Sequence, residues 1–233
     1  MLYLIGLGLN EKGYSKEAHE IISQAFKVYV DTYTIEFPYE VSELTKQFRG
    51  QKFIPAGREF VEGLKFLEEA KNKDVVLLVY GSPLVATTHT AIIKEAVDKK
   101  IKIKIIHAGS ILDAVAETGL QPYKFGKTTS LPNFPAESYL DVVKENINTE
   151  AHTIILVDIG LKFEDAIKRL ESDSKKKKIK LNKVIVCERL GLKDSNIHYG
   201  VIGKLKSKKV KTPFCFIIPG KLHFFEKEFL ERF

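Results

Sequence analysis

In the first half of the chain, short apolar runs alternate with stretches whose apolar residues recur at three and four positions, so strands and helices are predicted in turn. The runs at residues 3–6, 27–31, 75–80 and 101–106 read as strands. Between the first two, Ala18, Ile21, Ile22, Ala25 and Phe26 fall on one face of a helix over residues 15–26. Further on, Phe60, Leu64 and Leu67 share another such face. Strand and helix in alternation predict a mostly parallel sheet covered by helices. After about Leu112 the pattern changes: HTIILVDI, KVIVCERL, HYGVIGKL and FCFIIPG follow at shorter intervals, with helical periodicity near residues 138–146 and 222–233. Only a short polar loop separates KVIVCERL from HYGVIGKL, so these two are expected to pair antiparallel. The chain therefore reads as two α/β domains, a mostly parallel one over residues 1–111 and one with a mixed sheet over residues 112–233. No linker rich in Ser, Gly or Pro separates them. HAGSIL is expected to run across the hinge, with a binding cleft between the domains.

Two strand ends carry candidate chemistry. GSPLVATTH, from Gly81 to His89, follows the apolar run DVVLLVY and opens the helical stretch TAIIKEAV. It places backbone with little side-chain cover at the carboxyl edge of a sheet, where open α/β folds bind ligands. A plain strand-to-helix turn would use the same residues, with Gly81 supplying an unusual φ and Thr87 or Thr88 capping the helix. At the amino terminus, YLIGLGLN runs from a strand into a glycine turn, and KVYVD ends in Asp31 about 20 positions on, the spacing of a dinucleotide-binding start. Glu11 stands where the third glycine of that fingerprint belongs, so a nicotinamide oxidoreductase is the weaker alternative. A ligand-binding regulator could use the same turns without turnover.

Taken with HAGSILDAVAETGLQPYKFG at residues 107–126, these blocks resemble the diphthine synthases, S-adenosylmethionine-dependent methyltransferases of the class that contains the tetrapyrrole methylases. ESYLDVVKEN, HTIILVDI and IIPGKLHFFEKEFL continue the resemblance in family order to the end of the chain. The resemblance implies the two-domain tetrapyrrole-methylase-like fold, with S-adenosylmethionine held largely by backbone groups at Leu9, Ser82, Val85, Ser110 and Ile111, and at Val157, Leu190 and Phe214 from the second domain. It also implies a homodimer. The acceptor that the resemblance implies is the 3-amino-3-carboxypropyl histidine of translation elongation factor 2, whose amino group is methylated repeatedly. The family usually reads Gly-Asp-Pro where this chain has Gly81, Ser82 and Pro83, so a hydroxyl replaces a carboxylate near the sulfonium. His89, Tyr123 or a water could take the acceptor's proton, and the sequence does not choose among them. Tyr123 or Phe125 could line an acceptor mouth that suits a trimethylammonium product, or could be core.

Composition narrows the field. An apolar fraction of 44% with 29% charged residues describes an ordinary globular protein. No apolar run approaches the roughly 20 residues that span a bilayer, and no charged segment precedes the first strand as in a signal peptide, so a cytoplasmic enzyme is expected. Cys187 and Cys215 lie in strand-like apolar surroundings and read as buried thiols, and the six histidines show no metal-ligand spacing, so no metal is expected. The net charge of +7 comes largely from the lysines at 175–178 and from KLKSKKVK. A ribosomal RNA methyltransferase, or a tetrapyrrole methyltransferase of the same fold, is the stronger alternative, yet these lysines lack interleaved aromatics that stack on bases. A solvated loop and a decorated hairpin are expected there, and no nucleic-acid partner.

Overall fold

In the computed structural model, which describes residues 1–233, Met1–Ile111 and Leu112–Phe233 form two units. The first runs β1 (Leu2–Gly6), α1 (Lys16–Gln24), β2 (Lys27–Asp31), α2 (Val41–Thr45), β3 (Phe53–Ala56), α3 (Arg58–Glu62), α4 (Phe66–Ala70), β4 (Val75–Val79), α5 (Thr90–Asp98) and β5 (Ile103–Ile106). All five strands are parallel, in the order β3-β2-β4-β1-β5. Strand alternation divides the apolar residues between two cores. Leu2, Leu4, Val75, Leu77 and Val79 meet Phe66, Leu67, Ile92 and Ala96 on one face. Ile5, Val28, Val30, Val76 and Leu78 meet Ala18, Ile22, Leu44 and Phe48 on the other. The connection leaving β1 therefore lies on the opposite face from the one leaving β4, although the two strands are neighbours. Their carboxyl ends form the topological switch point, where open α/β sheets bind ligands.

The sequence patterning sets α1 closely. Ser15 caps it by accepting a hydrogen bond from the Ala18 N–H at 3.1 Å, and Ala18 and Ile22 are its buried face. Phe60, Leu64 and Leu67 do pack into one core, but the helix between them is broken. Leu64 takes a left-handed φ of 55°, which ends α3 and lets α4 restart. β3 carries no strand pattern in the sequence because Pro55 interrupts its four residues, and proline is tolerated at this edge position.

The second unit begins within α6 (Ile111–Ala114) and runs β6 (Thr129–Leu131), α7 (Tyr139–Asn148), β7 (Thr153–Val157), α8 (Phe163–Lys176), β8 (Val184–Glu188), β9 (Asn196–Gly200), α9 (Ile202–Leu205), β10 (Phe214–Ile218) and α10 (Phe224–Leu230). Its sheet is mixed, in the order β6-β7-β10-β8-β9: β6 and β7 are parallel, while the other neighbours, including β8 and β9, are antiparallel. Leu140, Val143, Ile155, Phe163, Leu170, Val186 and Phe216 form its core. HYGVIGKL is not one strand. It leaves the sheet at Gly200 and turns into α9, burying Ile202 and Leu205.

The lysines at 175–178 are not a loop either. Lys175 and Lys176 close α8, where positive charge complements the helix dipole, and carboxylates answer three of the four: Lys175 pairs with Glu171, Lys176 with Glu137 and Asp173, Lys177 with Asp141. KLKSKKVK likewise follows from α9 into a loop, with Lys206 held by Glu171 and Lys211 by Asp194, and decorates no hairpin. Cys187 and Cys215 are buried cross-strand partners, and their mutual hydrogen bond and burial push the Cys187 thiol well above its ordinary range.

Candidate functional site

The two glycine turns meet. Gly8, just past β1, and Gly81, just past β4, have φ of 70° and 72°, a region that side chains disfavour. Each N–H donates to the other's carbonyl, at 3.1 and 2.9 Å, so an antiparallel bridge ties the turns together at the switch point. Their glycines serve different ends. A Cβ on Gly8 would lie 2.7 Å from the Gly13 carbonyl oxygen, so this glycine lets the turn fold onto itself. A Cβ on Gly81 would meet nothing closer than the Gly109 carbonyl at 3.9 Å, and one on Gly109 nothing within 4 Å. Open space therefore lies beside the backbone of Gly81 and Gly109, the cradle a ligand needs in order to approach main-chain groups.

The other residues predicted in this unit stand around it. Leu9 follows Gly8, and its carbonyl accepts a hydrogen bond from the Tyr80 hydroxyl at 2.8 Å. Ser82 is 7% exposed, its carbonyl accepts from the Val85 N–H at 3.1 Å, and its hydroxyl lies 3.4 Å from His107 Nδ1. Ser110 is buried and Ile111 half-buried just beyond β5. The residues thus come from the carboxyl ends of three adjacent strands, β4, β1 and β5. Neither Tyr80 nor His107 was singled out from sequence, since each depends on a partner far along the chain.

The loop after Gly81 is closely held. Ala86 adopts φ of 56°, a conformation costing a residue with a Cβ roughly 1 kcal/mol. The Pro83 carbonyl accepts from Thr87 Oγ1 at 2.9 Å and faces His89 Nδ1 at 3.0 Å. His89 is 1% exposed, which removes it from the candidates for a base that reaches an acceptor. Asp31 is fully buried, its oxygens occupied by the N–H groups of Tyr33 and Thr34 and by the Thr34 hydroxyl. It has no edge to offer a ribose, so the dinucleotide reading of that carboxylate fails on geometry.

In the second unit, Val157 ends β7, Leu190 follows β8 and Phe214 begins β10. Because β10 runs antiparallel to both neighbours, all three lie at one edge of that sheet. The Arg189 N–H donates to the Pro213 carbonyl at 2.9 Å, which holds the segments of Leu190 and Phe214 together. The Phe214 ring itself packs edge-on against Phe163 and Phe216, so main-chain atoms are what this position can offer a ligand. Of the acceptor-mouth candidates, Tyr123 is 83% exposed, whereas Phe125 is half-buried with its ring edge-on to His152. A groove of about 570 Å³, lined by Lys180, Lys183, Tyr199, Ile218 and Lys227 among others, opens at the opposite edge of the same sheet and holds none of the predicted residues.

Known proteins match this chain in sequence and in fold. The family of Tetrapyrrole (Corrin/Porphyrin) Methylases matches residues 1–206. A diphthine synthase of Methanocaldococcus jannaschii is 39% identical over 99% of this chain and 98% of its own length. One of Methanococcus maripaludis strain C6 is 38% identical with the same coverage, 99% and 98%. Among solved structures, a diphthine synthase superposes with a TM-score of 0.93 at 32% identity, covering 100% of this chain and 95% of that one. A putative diphthine synthase from Entamoeba histolytica gives 0.90 at 30% identity, covering 100% and 98%. Alike to these proteins in sequence and in fold from end to end, the chain belongs to the diphthine synthases of the tetrapyrrole methylase family.

Proposed function

We propose that this protein uses S-adenosylmethionine to methylate, repeatedly, the amino group of the 3-amino-3-carboxypropyl histidine of translation elongation factor 2, giving diphthine in diphthamide biosynthesis. The family supports the methyltransferase activity. The observation in the molecule that supports it best is the bridged pair of turns at Gly8 and Gly81, with open space beside Gly81 and Gly109 at the switch point. S-Adenosylmethionine, when bound, supplies a methyl already activated on a sulfonium. The protein's part is then to bind, align and exclude water, which can account for much of the acceleration. Backbone groups at Leu9, Ser82, Val85, Ser110 and Ile111 are proposed to hold the cofactor, with the same role for Val157, Leu190 and Phe214 at their own sheet edge.

No carboxylate stands at position 82, so the Ser82 hydroxyl, beside His107, is the side chain proposed to face the sulfonium. The same reading has the enzyme act in the cytoplasm as a homodimer. The exposed rings of Phe224, Phe225 and Phe233 offer apolar surface to a second copy. Binding is tested by melting the protein with adenosylhomocysteine or NADH. At about 100 times its dissociation constant the former should add roughly 2.7 kcal/mol of stability. A curve that moves only with NADH would reject the methyltransferase reading.

A further inference from the structure

The turn that ends β2 and the loop that follows Gly81 meet at a buried point. Asp31 organises its own turn, accepting from the Tyr33 N–H at 2.9 Å, the Thr34 N–H at 3.2 Å and the Thr34 hydroxyl at 2.7 Å. His89 Nε2 lies 3.1 Å from Asp31 Oδ2, off the line of a hydrogen bond, with both side chains out of solvent. The other ring nitrogen faces the Pro83 carbonyl, which can only accept, so Nδ1 carries a proton there. Tyr33 adds a second tie: its hydroxyl lies 3.3 Å from Thr88 Oγ1 and its ring stands edge-on to His89. Between these ties sits the left-handed Ala86, in the same loop as Ser82 and Val85. A strained backbone persists only where its surroundings fix it, and such strain gathers at sites that bind.

We propose that His89 is a positioning residue: a buried clamp whose Nδ1–H, donated to the Pro83 carbonyl, holds the loop over residues 82–88 in the conformation that presents its main chain to the cofactor. Its side chain does not touch the ligand. The inference rests on the methyltransferase reading and adds to it one residue outside the binding set. The clamp acts equally before and during transfer, so its loss weakens cofactor binding without slowing the bound complex.

The test measures adenosylhomocysteine affinity by calorimetry, with KM and kcat, on variants that circular dichroism shows to be folded. His89→Leu should raise the dissociation constant and the KM for S-adenosylmethionine by about tenfold or more, leaving kcat within about threefold. His89→Asn places an amide nitrogen near Nδ1 and should recover most of the affinity, whereas His89→Gln, which loses the Pro83 bond, should not. A folded His89→Leu protein with wild-type affinity overturns the clamp, even when its melting temperature has dropped, because a merely structural role predicts that outcome. Should that variant not fold, a folded His89→Gln protein, which has lost the Pro83 bond, with wild-type affinity overturns the proposal equally. A wild-type protein that binds no adenosylhomocysteine overturns the methyltransferase reading, and the clamp with it.

Discussion

Ser82 is the side chain proposed to face the sulfonium. Its hydroxyl is nearly buried beside His107 and carries no charge of its own. Ser82→Asp is therefore expected to favour S-adenosylmethionine over adenosylhomocysteine by on the order of 1 kcal/mol, about fivefold, because only the former is cationic. Calorimetry with both ligands checks this, and equal effects would show that position 82 does not sense the charge. The two glycines separate by a second substitution. Gly81→Ala meets open space and should lose only about 1 kcal/mol to its positive φ, while Gly8→Ala drives a Cβ into the Gly13 backbone and should lose clearly more in urea unfolding. Equal losses would contradict the separate roles. Both glycines were legible in the sequence as ligand-approach positions, but Gly8 answers to its own turn, a contact set by five residues that no periodicity describes. Asp31 was legible as the carboxylate ending a strand, yet its neighbour His89 lies 58 positions on, and only the β2-β4 adjacency brings them together.

At the scale of elements, α10 is fastened by one carboxylate. Glu226 is fully buried, accepts from the N–H groups of Gln121 and His223, completes the capping box with His223, and pairs with Lys124 and His152. Burial alone would raise its pKa, but the Lys124 ammonium and these donors outweigh it and bring it down to about 2. His152 is held below its ordinary range, chiefly by burial, with Nε2 donating to Glu226 and Nδ1 accepting from the Gly220 N–H. A depressed carboxyl stabilises the fold above its unfolded pKa of about 4.3, and that contribution disappears as the pH falls toward 2. The buried neutral imidazole begins to subtract stability earlier, below about pH 6.5. Glu226→Ala should cost about 3 kcal/mol at neutral pH, since it leaves partly buried Lys124 unpaired. The gap from wild type in melting experiments should narrow on acidification from about pH 4.3, and a gap independent of pH would contradict the assignment. None of this was visible in sequence: His223, Glu226, Lys124 and His152 read as scattered polar residues. The long strands and α1 were readable because their periodicity is strong. The three-residue β6 is too short to show one, and α9 follows β9 without a break in its apolar residues.

For the whole molecule, the alternation of elements and the full-length family blocks made both sheets readable, parallel in the first unit and mixed in the second. What the sequence could not supply was the fate of its charges, since most of the lysines at 175–178 are answered by carboxylates on α7 and α8 and in the loop before α7. The exposed aromatic rings of α10 support association through an apolar face, and light scattering at micromolar concentration should return twice the chain mass of 26.4 kDa. A monomer mass would count against the homodimer. The proposed reaction is methyl transfer to one protein side chain. Incubated with labelled S-adenosylmethionine and elongation factor 2, the enzyme should place several methyl groups on factor that carries the aminocarboxypropyl histidine and none on factor with an unmodified imidazole, which lacks the aliphatic amine to be aligned. Label that appears on ribosomal RNA or a tetrapyrrole, with none on the modified factor, would contradict it.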